Sequence, residues 1–91
     1  MIPDGVTEIG KEAFWGCDSL ESIEIPNSVV KIGEMAFSYC KSLLSVEIPN
    51  SVVKIGDWAF VGCKSLESVA IPRDCKLDYR AFPADVKIKR R

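Results

Sequence analysis

The chain has 91 residues, of which 47% are hydrophobic and 27% charged, and its formal net charge is −1. Its length allows one small domain, its apolar content excludes a disordered chain, and its apolar runs fall far short of the roughly 20 residues that cross a bilayer. The sequence contains no histidine, which removes the commonest general base and the commonest metal ligand. We therefore predict a globular domain that is not an enzyme and that has no metal and no cofactor.

Acidic and basic residues are unevenly distributed along the chain. Residues 1–72 contain five Lys/Arg and ten Asp/Glu, whereas residues 73–91 contain seven and three. The basic end finishes in Lys87-Ile88-Lys89-Arg90-Arg91, a short cationic strip without the interleaved aromatic residues on which nucleic-acid bases stack. A solvated edge is the favoured interpretation of this strip, and nucleic acid is not an expected partner.

The whole chain is built from an internal repeat of 23 residues. Coil 1 spans residues 2–24, coil 2 residues 25–47 and coil 3 residues 48–70, and a shortened coil 4 follows at residues 71–91. The three full coils are identical at 11 positions, which is more than chance similarity produces in so short a chain. A fixed period of this length predicts a single solenoid domain in which each coil stacks on its neighbours.

Each full coil contains one short run in which apolar and polar residues alternate, and this pattern predicts a half-buried strand. The runs cover residues 22–25, 45–48 and 68–71, and the period stacks them as a parallel ladder. Pro26, Pro49 and Pro72 follow the three runs. Because proline cannot donate to a ladder, each strand is expected to end there.

The rest of each coil has room only for short helical turns of the 3-10 or α type. Gly10, Gly33 and Gly56 recur at one position, which predicts a site that needs positive φ or a close approach to the next coil. Apolar residues recur one coil apart at five other positions, and we expect these columns to form a continuous core. They are Ile9/Ile32/Ile55, Phe14/Phe37/Phe60, Cys17/Cys40/Cys63, Leu20/Leu43/Leu66 and Ile23/Val46/Val69.

The spacing Leu-x-x-Ile/Val-x-Ile at residues 20–25, 43–48 and 66–71 is the strand signature of leucine-rich repeats. The longer pattern, which runs from Ile-Pro through Ile-Gly-x-x-Ala-Phe-x-x-Cys-x-Ser-Leu, closely resembles the BspA-like leucine-rich repeats of bacterial and protist proteins. The resemblance covers essentially the whole chain, and coil 4 resembles the end of such arrays. It implies a right-handed leucine-rich-repeat solenoid without catalytic residues that binds proteins, often in surface proteins concerned with adhesion or host contact.

Three of the four cysteines, Cys17, Cys40 and Cys63, follow the 23-residue period, and Cys75 lies in the irregular last coil. Packing in a column explains them as buried free thiols, which is the interpretation that we favour. A disulfide is one alternative, since Cα atoms one coil apart are within bonding range, although stacked side chains point the same way. A metal site is the other alternative, and no two cysteines have the spacing of a zinc site.

The outward side chains of the strands form the surface that solenoids usually present to partners. Three columns of polar and mostly acidic residues are expected there. They are Ser22/Ser45/Ser68/Asp85, Glu24/Glu47/Ala70/Lys87 and, where the strands begin, Glu21/Leu44/Glu67. The neighbouring carboxylates of Glu24 and Glu47 are mildly unfavourable in a sheet, which indicates a role in binding. The strip is interpreted either as a partner-binding surface or as a solvated face.

Residues that depart from the repeat are a second group of binding candidates, because the scaffold does not dictate them. We predict that Trp15, Met35, Tyr39 and Trp58 contact a partner, since aromatic residues are frequent interface hot spots. The alternative is that these side chains cover gaps between the short turns.

Coil 1 lacks a polar cap ahead of Ile2, so the apolar residues Val6, Ile9, Phe14 and Leu20 are expected to need a cover. Coil 4 is shortened and basic and has the character of a cap. The sequence therefore predicts either a homodimer through the uncapped N-terminal coil or a longer array of which this chain is the end.

The favoured hypothesis is a non-catalytic protein-binding module, an interaction or adhesion unit of a bacterial-type leucine-rich-repeat protein. The alternative is a small free-standing intracellular inhibitor that blocks a partner enzyme through its acidic surface. No secretory signal is present, so a complete chain is expected in the cytoplasm, and a fragment of a larger BspA-like protein at the cell surface or secreted. A protein partner and no membrane insertion are expected in both cases.

Overall fold

Eight short strands alternate around the coils of the computed structural model, which describes residues 2–91. In chain order they are β1 (Glu8–Ile9), β2 (Ser22–Glu24), β3 (Lys31–Ile32), β4 (Ser45–Glu47), β5 (Lys54–Ile55), β6 (Ser68–Ile71), β7 (Lys76–Leu77) and β8 (Lys87–Arg90). The even-numbered strands pair in parallel as one sheet in the order β2-β4-β6-β8. The ladder predicted from the alternating runs is therefore confirmed.

The odd-numbered strands form a second parallel sheet that the sequence analysis did not predict. Its order is β1-β3-β5-β7, and each of its strands has two residues. The inward residues Ile9, Ile32 and Ile55 are buried, whereas their neighbours Glu8 and Lys31 face outward and are exposed. A two-residue strand is too short to show a readable alternation, so only the stacking of the coils reveals this sheet.

The segment after each recurring glycine consists of successive hydrogen-bonded turns. None of residues 2–91 is helical, so the predicted short helical turns are wrong, and no helix in this range could span a membrane. In coil 1 the amides of Ala13 and Trp15 each donate to the carbonyl oxygen three residues earlier, at 3.2 Å. The amide of Phe14 donates instead to Ala36 of coil 2, at 2.8 Å. Because alternate amides bond to the next coil, a regular helix cannot form.

The core is a stack of phenylalanine rings surrounded by aliphatic columns. Consecutive ring centroids of Phe14, Phe37, Phe60 and Phe82 lie 5.1, 5.0 and 4.8 Å apart, with nearly parallel planes. The buried residues form one cluster that runs through all four coils, which confirms the predicted continuous core. The two ends differ, because Phe14 in coil 1 is only half-buried whereas Phe82 in coil 4 is 7% exposed.

The recurring glycine is a point of close approach between coils. A Cβ on Gly33 would lie 2.8 Å from the carbonyl oxygen of Ile9, and a Cβ on Gly56 would lie 2.8 Å from the amide nitrogen of Glu34. The close-approach alternative is confirmed at these two glycines, and neither has a positive φ. Positive φ occurs two residues later, at Glu12, Met35, Trp58 and Arg80.

Coil 4 has a strand register that differs from the predicted one. Lys87 pairs with Ser68 and Lys89 pairs with Ala70. Lys87 therefore continues the serine column and Lys89 the glutamate column, and the prediction that placed Asp85 and Lys87 there is wrong by two residues. Coil 4 has lost residues both before β7 and before β8, and the period alone does not show where such losses fall.

Arg90 closes the core at the end of coil 4. It pairs with Ile71 and so occupies the column that core isoleucines fill in the full coils. Its Nη1 donates to the carbonyl oxygens of Arg73 at 3.0 Å and Cys75 at 2.6 Å. The guanidinium thus satisfies two backbone acceptors that no further coil covers in this structure.

Candidate partner-binding surface

The outward face of the even-numbered sheet lines an open groove with a volume of about 1070 Å³. Four of the predicted strip residues, Ser22, Glu24, Ser45 and Glu47, lie in it. The other five are exposed side chains that lie outside the groove. They are Glu21, Leu44, Glu67, Ser68 and Lys87.

The turns that follow the strands form the rim of this groove. The amide of Val29 donates to the carbonyl oxygen of Pro26, and that of Val52 to Pro49, both at 3.1 Å. These repeated turns place Asn27 of coil 2 at the rim, and they place its equivalents Asp4 and Asn50 of coils 1 and 3 there as well. None of the three is among the site residues predicted from the sequence. The signal that would have found them is the repeated Ile-Pro-Asn of coils 2 and 3.

The groove is acidic at the coil 1 end. Glu24 and Glu47 are Cα partners in the ladder of β2 and β4, and both side chains are exposed. Asp4 adds a third carboxylate to the lining. The one ion pair among residues 2–91 joins Lys54 and Asp78, at 3.5 Å. The three carboxylates of the groove are therefore available to a cationic group.

The side chain of Arg91 occupies the opposite end of the groove. Its Nε donates to Oδ1 of Asn50 at 3.0 Å, and its Nη1 lies 3.4 Å from the carbonyl oxygen of Ala70. Its Nη2 donates to the carbonyl oxygen of Ile48. The Arg91 amide bonds to Ile71 at 2.9 Å, which anchors the residue. Three oxygens of coil 3 thus hold one guanidinium, and the sequence analysis, which treated Arg91 only as part of a solvated strip, did not predict it.

Trp15 and Tyr39 form an exposed aromatic pair, here called the aromatic ledge. Their ring centroids lie 5.7 Å apart in an edge-on arrangement, and the residues are 53% and 44% exposed. Tyr39 has a φ of 61°, and its column otherwise contains glycines with positive φ, Gly16 and Gly62. A left-handed conformation costs a non-glycine residue roughly 1–2 kcal/mol. Tyr39 therefore has a backbone conformation that favours glycine.

Met35 and Trp58, the other two aromatic or apolar candidates, are half-buried and lie outside the groove. The Trp58 ring contacts Tyr79 edge-on at 5.5 Å between centroids, and the guanidinium of Arg80 lies 5.8 Å from the Trp58 centroid. These contacts join coil 3 to coil 4. They support the alternative that Trp58 covers a gap between turns, and they separate it from the strip.

The cysteines are free thiols, and Cys40, Cys63 and Cys75 are buried. The thiols of Cys40 and Cys63 donate to the carbonyl oxygens of Phe14 and Phe37, each at 3.2 Å. Burial raises the pKa of Cys63 to about 12, and it also raises the pKa of Cys40 and of Cys75. These three thiols are therefore protonated at neutral pH. Within residues 2–91, no group of three potential ligands is placed to hold a metal ion.

Comparison with known proteins agrees with this architecture. A family model described as a BspA type leucine rich repeat region matches residues 1–90, in six copies. A leucine-rich repeat protein from Bacteroides ovatus, known from its crystal structure, is 36% identical, with a TM-score of 0.79 over 92% of this chain. The match covers 25% of that protein, so the chain spans about a quarter of its length. No curated protein matches the sequence.

Proposed function

Because the chain belongs to the BspA-type leucine-rich repeat family, we propose that it is a non-catalytic protein-binding module that holds its partner in the acidic groove. Repeats of this family generally serve protein interaction, and their concave or outward strand face is the usual contact surface. The observation that carries the proposal is the groove itself, where three carboxylates without an ion-pair partner line a repeated strand face. Adhesion at a cell surface is the finer form of the proposal. Neither the family nor the structure supports the alternative of an enzyme inhibitor.

The size of the molecule determines what kind of partner fits. The solenoid measures 27 × 25 × 19 Å, so its faces are no larger than one side of a standard interface, about 800 Å². The groove is only part of one such face. An extended segment of a partner protein, which lies along the groove and contacts its rim, suits this shape better than a flat globular surface.

The test is a selection of peptides from a random library on the immobilised protein, followed by affinity measurements on variants. The double variant Glu24→Lys/Glu47→Lys reverses two charges inside the groove. Its matched control, Asp18→Lys/Asp74→Lys, reverses two exposed charges that belong to neither the groove nor the predicted strip. We expect the groove variant to lower the affinity of the selected peptides at least tenfold, since each adverse charge contact costs of order 1 kcal/mol. The control variant should change the affinity of the same peptides less than threefold.

Two outcomes would overturn the proposal. One is a failure to enrich any peptide over a bare surface. The other is a set of peptides whose affinity responds to both double variants equally, which would mean unspecific attraction to an acidic protein.

We propose the aromatic ledge as a second contact, because its two rings form an exposed pair and aromatic residues are frequent interface hot spots. Tyr39→Gly removes the ring and suits the backbone, so it should leave the fold intact. If the same peptides lose affinity in this variant, the ledge takes part in binding. If they do not, the ledge has no part in that contact.

The half-covered face of coil 1 supports a further proposal, a homodimer through the N-terminal coil. Val6, Phe14 and Leu20 are only partly buried, whereas their coil 3 counterparts Val52, Phe60 and Leu66 are at most 4% exposed. A cavity of about 200 Å³ opens beside two of these side chains, Val6 and Phe14. A second copy of the chain would cover them.

A further inference from the structure

We propose that the groove is a ladder of guanidinium-binding subsites, one per full coil, and that the partner segment is recognised by its arginine side chains. In the structure Arg91 fills the coil 3 subsite, and the subsites of coils 1 and 2 are left for the partner. The inference rests on the proposed function of the groove and names the chemistry of its ligand.

The filled subsite is built from three oxygen atoms. The three acceptors that hold Arg91 are the carbonyl oxygen of Ile48, the side-chain oxygen of Asn50 and the carbonyl oxygen of Ala70. They are contributed by the first, third and last positions of coil 3. All the parts of the subsite therefore come from a single repeat, so the other full coils have residues at the same three positions.

Coils 1 and 2 contain residues equivalent to those of the filled subsite. Coil 2 has Ile25, Asn27 and Glu47 at these positions, and Glu47 is the ladder partner of Ala70. Each asparagine lies within a turn that is closed by the same hydrogen bond, 3.1 Å long. Coil 1 follows the same arrangement, and the residues of both subsites line the groove. The coil 1 set is Ile2, Asp4 and Glu24.

The open subsites carry more negative charge than the filled one. In coil 2 the carboxylate of Glu47 replaces the methyl group of Ala70, and in coil 1 both Asp4 and Glu24 are carboxylates. A carboxylate beside a carbonyl or amide oxygen suits the planar fork of a guanidinium, which donates in parallel to two acceptors. The open subsites are therefore better guanidinium sites than the one that Arg91 fills. The pairing of Glu24 with Glu47, unfavourable in the sheet by itself, is explained by this role.

The geometry then specifies the ligand. Adjacent subsites are one coil apart, about 4.8 Å, so two arginines close together in an extended segment reach both. An ammonium group lacks the fork, so lysine is a poorer ligand. The partner is thus an extended protein segment with arginines at two alternate positions, whose side chains point to the same face.

The test uses a fluorescently labelled, end-blocked peptide Ser-Arg-Ser-Arg-Ser and its lysine counterpart, titrated with the 91-residue chain and followed by fluorescence anisotropy. We expect the arginine peptide to bind about tenfold more tightly than the lysine peptide, because a guanidinium donates two parallel hydrogen bonds to the two acceptors of a subsite, which an ammonium group cannot do. The double variant Asn27→Ala/Glu47→Gln should lower the affinity for the arginine peptide by about the same factor. Circular dichroism verifies that each variant is folded.

The variant Arg91→Ala should raise the affinity for the arginine peptide, because it opens the coil 3 subsite. Its matched control is Lys64→Ala, which removes one positive charge from an exposed position outside the groove. The arginine peptide should bind more tightly to Arg91→Ala than to Lys64→Ala. If Arg91→Ala does not fold, competition on the unmodified protein by methylguanidinium against methylammonium gives the same comparison.

Equal affinities of the two peptides, or equal effects of Arg91→Ala and Lys64→Ala, would overturn the inference, since both mean general charge attraction. That failure is distinct from a failure of the proposed function. Library peptides that bind the groove without arginine would leave the protein-binding function in place and remove only the guanidinium ladder.

Discussion

At the scale of the residue, the same amino acid at the same repeat position makes different contacts in different coils. Gly33 lies against the backbone of coil 1, whereas a Cβ on Gly10 would meet no atom within 4 Å. The difference arises because Gly10 has no preceding coil against its face in this structure. A residue that recurs with the period therefore predicts a contact with a neighbouring coil. The contact exists only where that coil is present.

Gly33→Ala should lower the free energy of unfolding by about 1–3 kcal/mol, because the added methyl group overpacks a contact between two backbones. Gly10→Ala is the matched control, and we expect it to change the stability by less than about 0.5 kcal/mol. Urea denaturation followed by circular dichroism measures both. Equal effects of the two substitutions would show that the glycine is needed for its own backbone conformation.

At the scale of the element, each coil is incomplete by itself. The turns donate alternate amides to the next coil, the strands have two to four residues, and the phenylalanine rings stack only on those of neighbouring coils. Isolated elements of this length are not stable. Stability must therefore come from contacts between coils, and it should be greatest in the middle of the array.

Phe60→Ala should lower the free energy of unfolding by about 3–5 kcal/mol, since it leaves a cavity in a fully buried column. Phe14→Ala should lower the free energy of unfolding clearly less, because that ring is half-exposed and stacks on one side only. Thermal unfolding of the two variants in parallel is the measurement. A larger loss for Phe14→Ala would contradict the expectation and would indicate that the coil 1 face is covered in solution.

At the scale of the whole molecule, the charge is polarised along the solenoid axis. Coil 1 contains six acidic residues and one lysine, and coil 4 contains three acidic and seven basic residues. The stacking places these coils at opposite ends. A homodimer that joins two coil 1 faces therefore brings like charges together, whereas an association of coil 1 with coil 4 brings opposite charges together.

The proposed homodimer through coil 1 should accordingly become stronger as salt is added, because salt screens the repulsion between the two acidic ends. Light scattering behind a sizing column, over a hundredfold concentration range at low and at high salt, measures this. Association that weakens with salt would indicate head-to-tail stacking instead. A monomer in all conditions would contradict both arrangements.

The sequence by itself determined the period, the coil boundaries, the even-numbered ladder up to β6 and the composition of the core. It determined them because a repeat of constant length brings equivalent residues into contact whatever the details of the turns. It also predicted that Glu24 and Glu47 are part of a binding strip, because two like charges in register are mildly unfavourable in a sheet.

Only the tertiary structure decided the second sheet, the register of coil 4, the asparagine rim and the position of Arg91 in the groove. β7 and β8 have a register set by packing on coil 3, since coil 4 has lost residues at places that no period marks. Arg91 reaches Ile48 and Asn50, more than forty residues away in the chain, and no local pattern encodes such a contact. Periodicity specifies what repeats, whereas the ends of the array and the side chains that cross between coils depend on three-dimensional proximity.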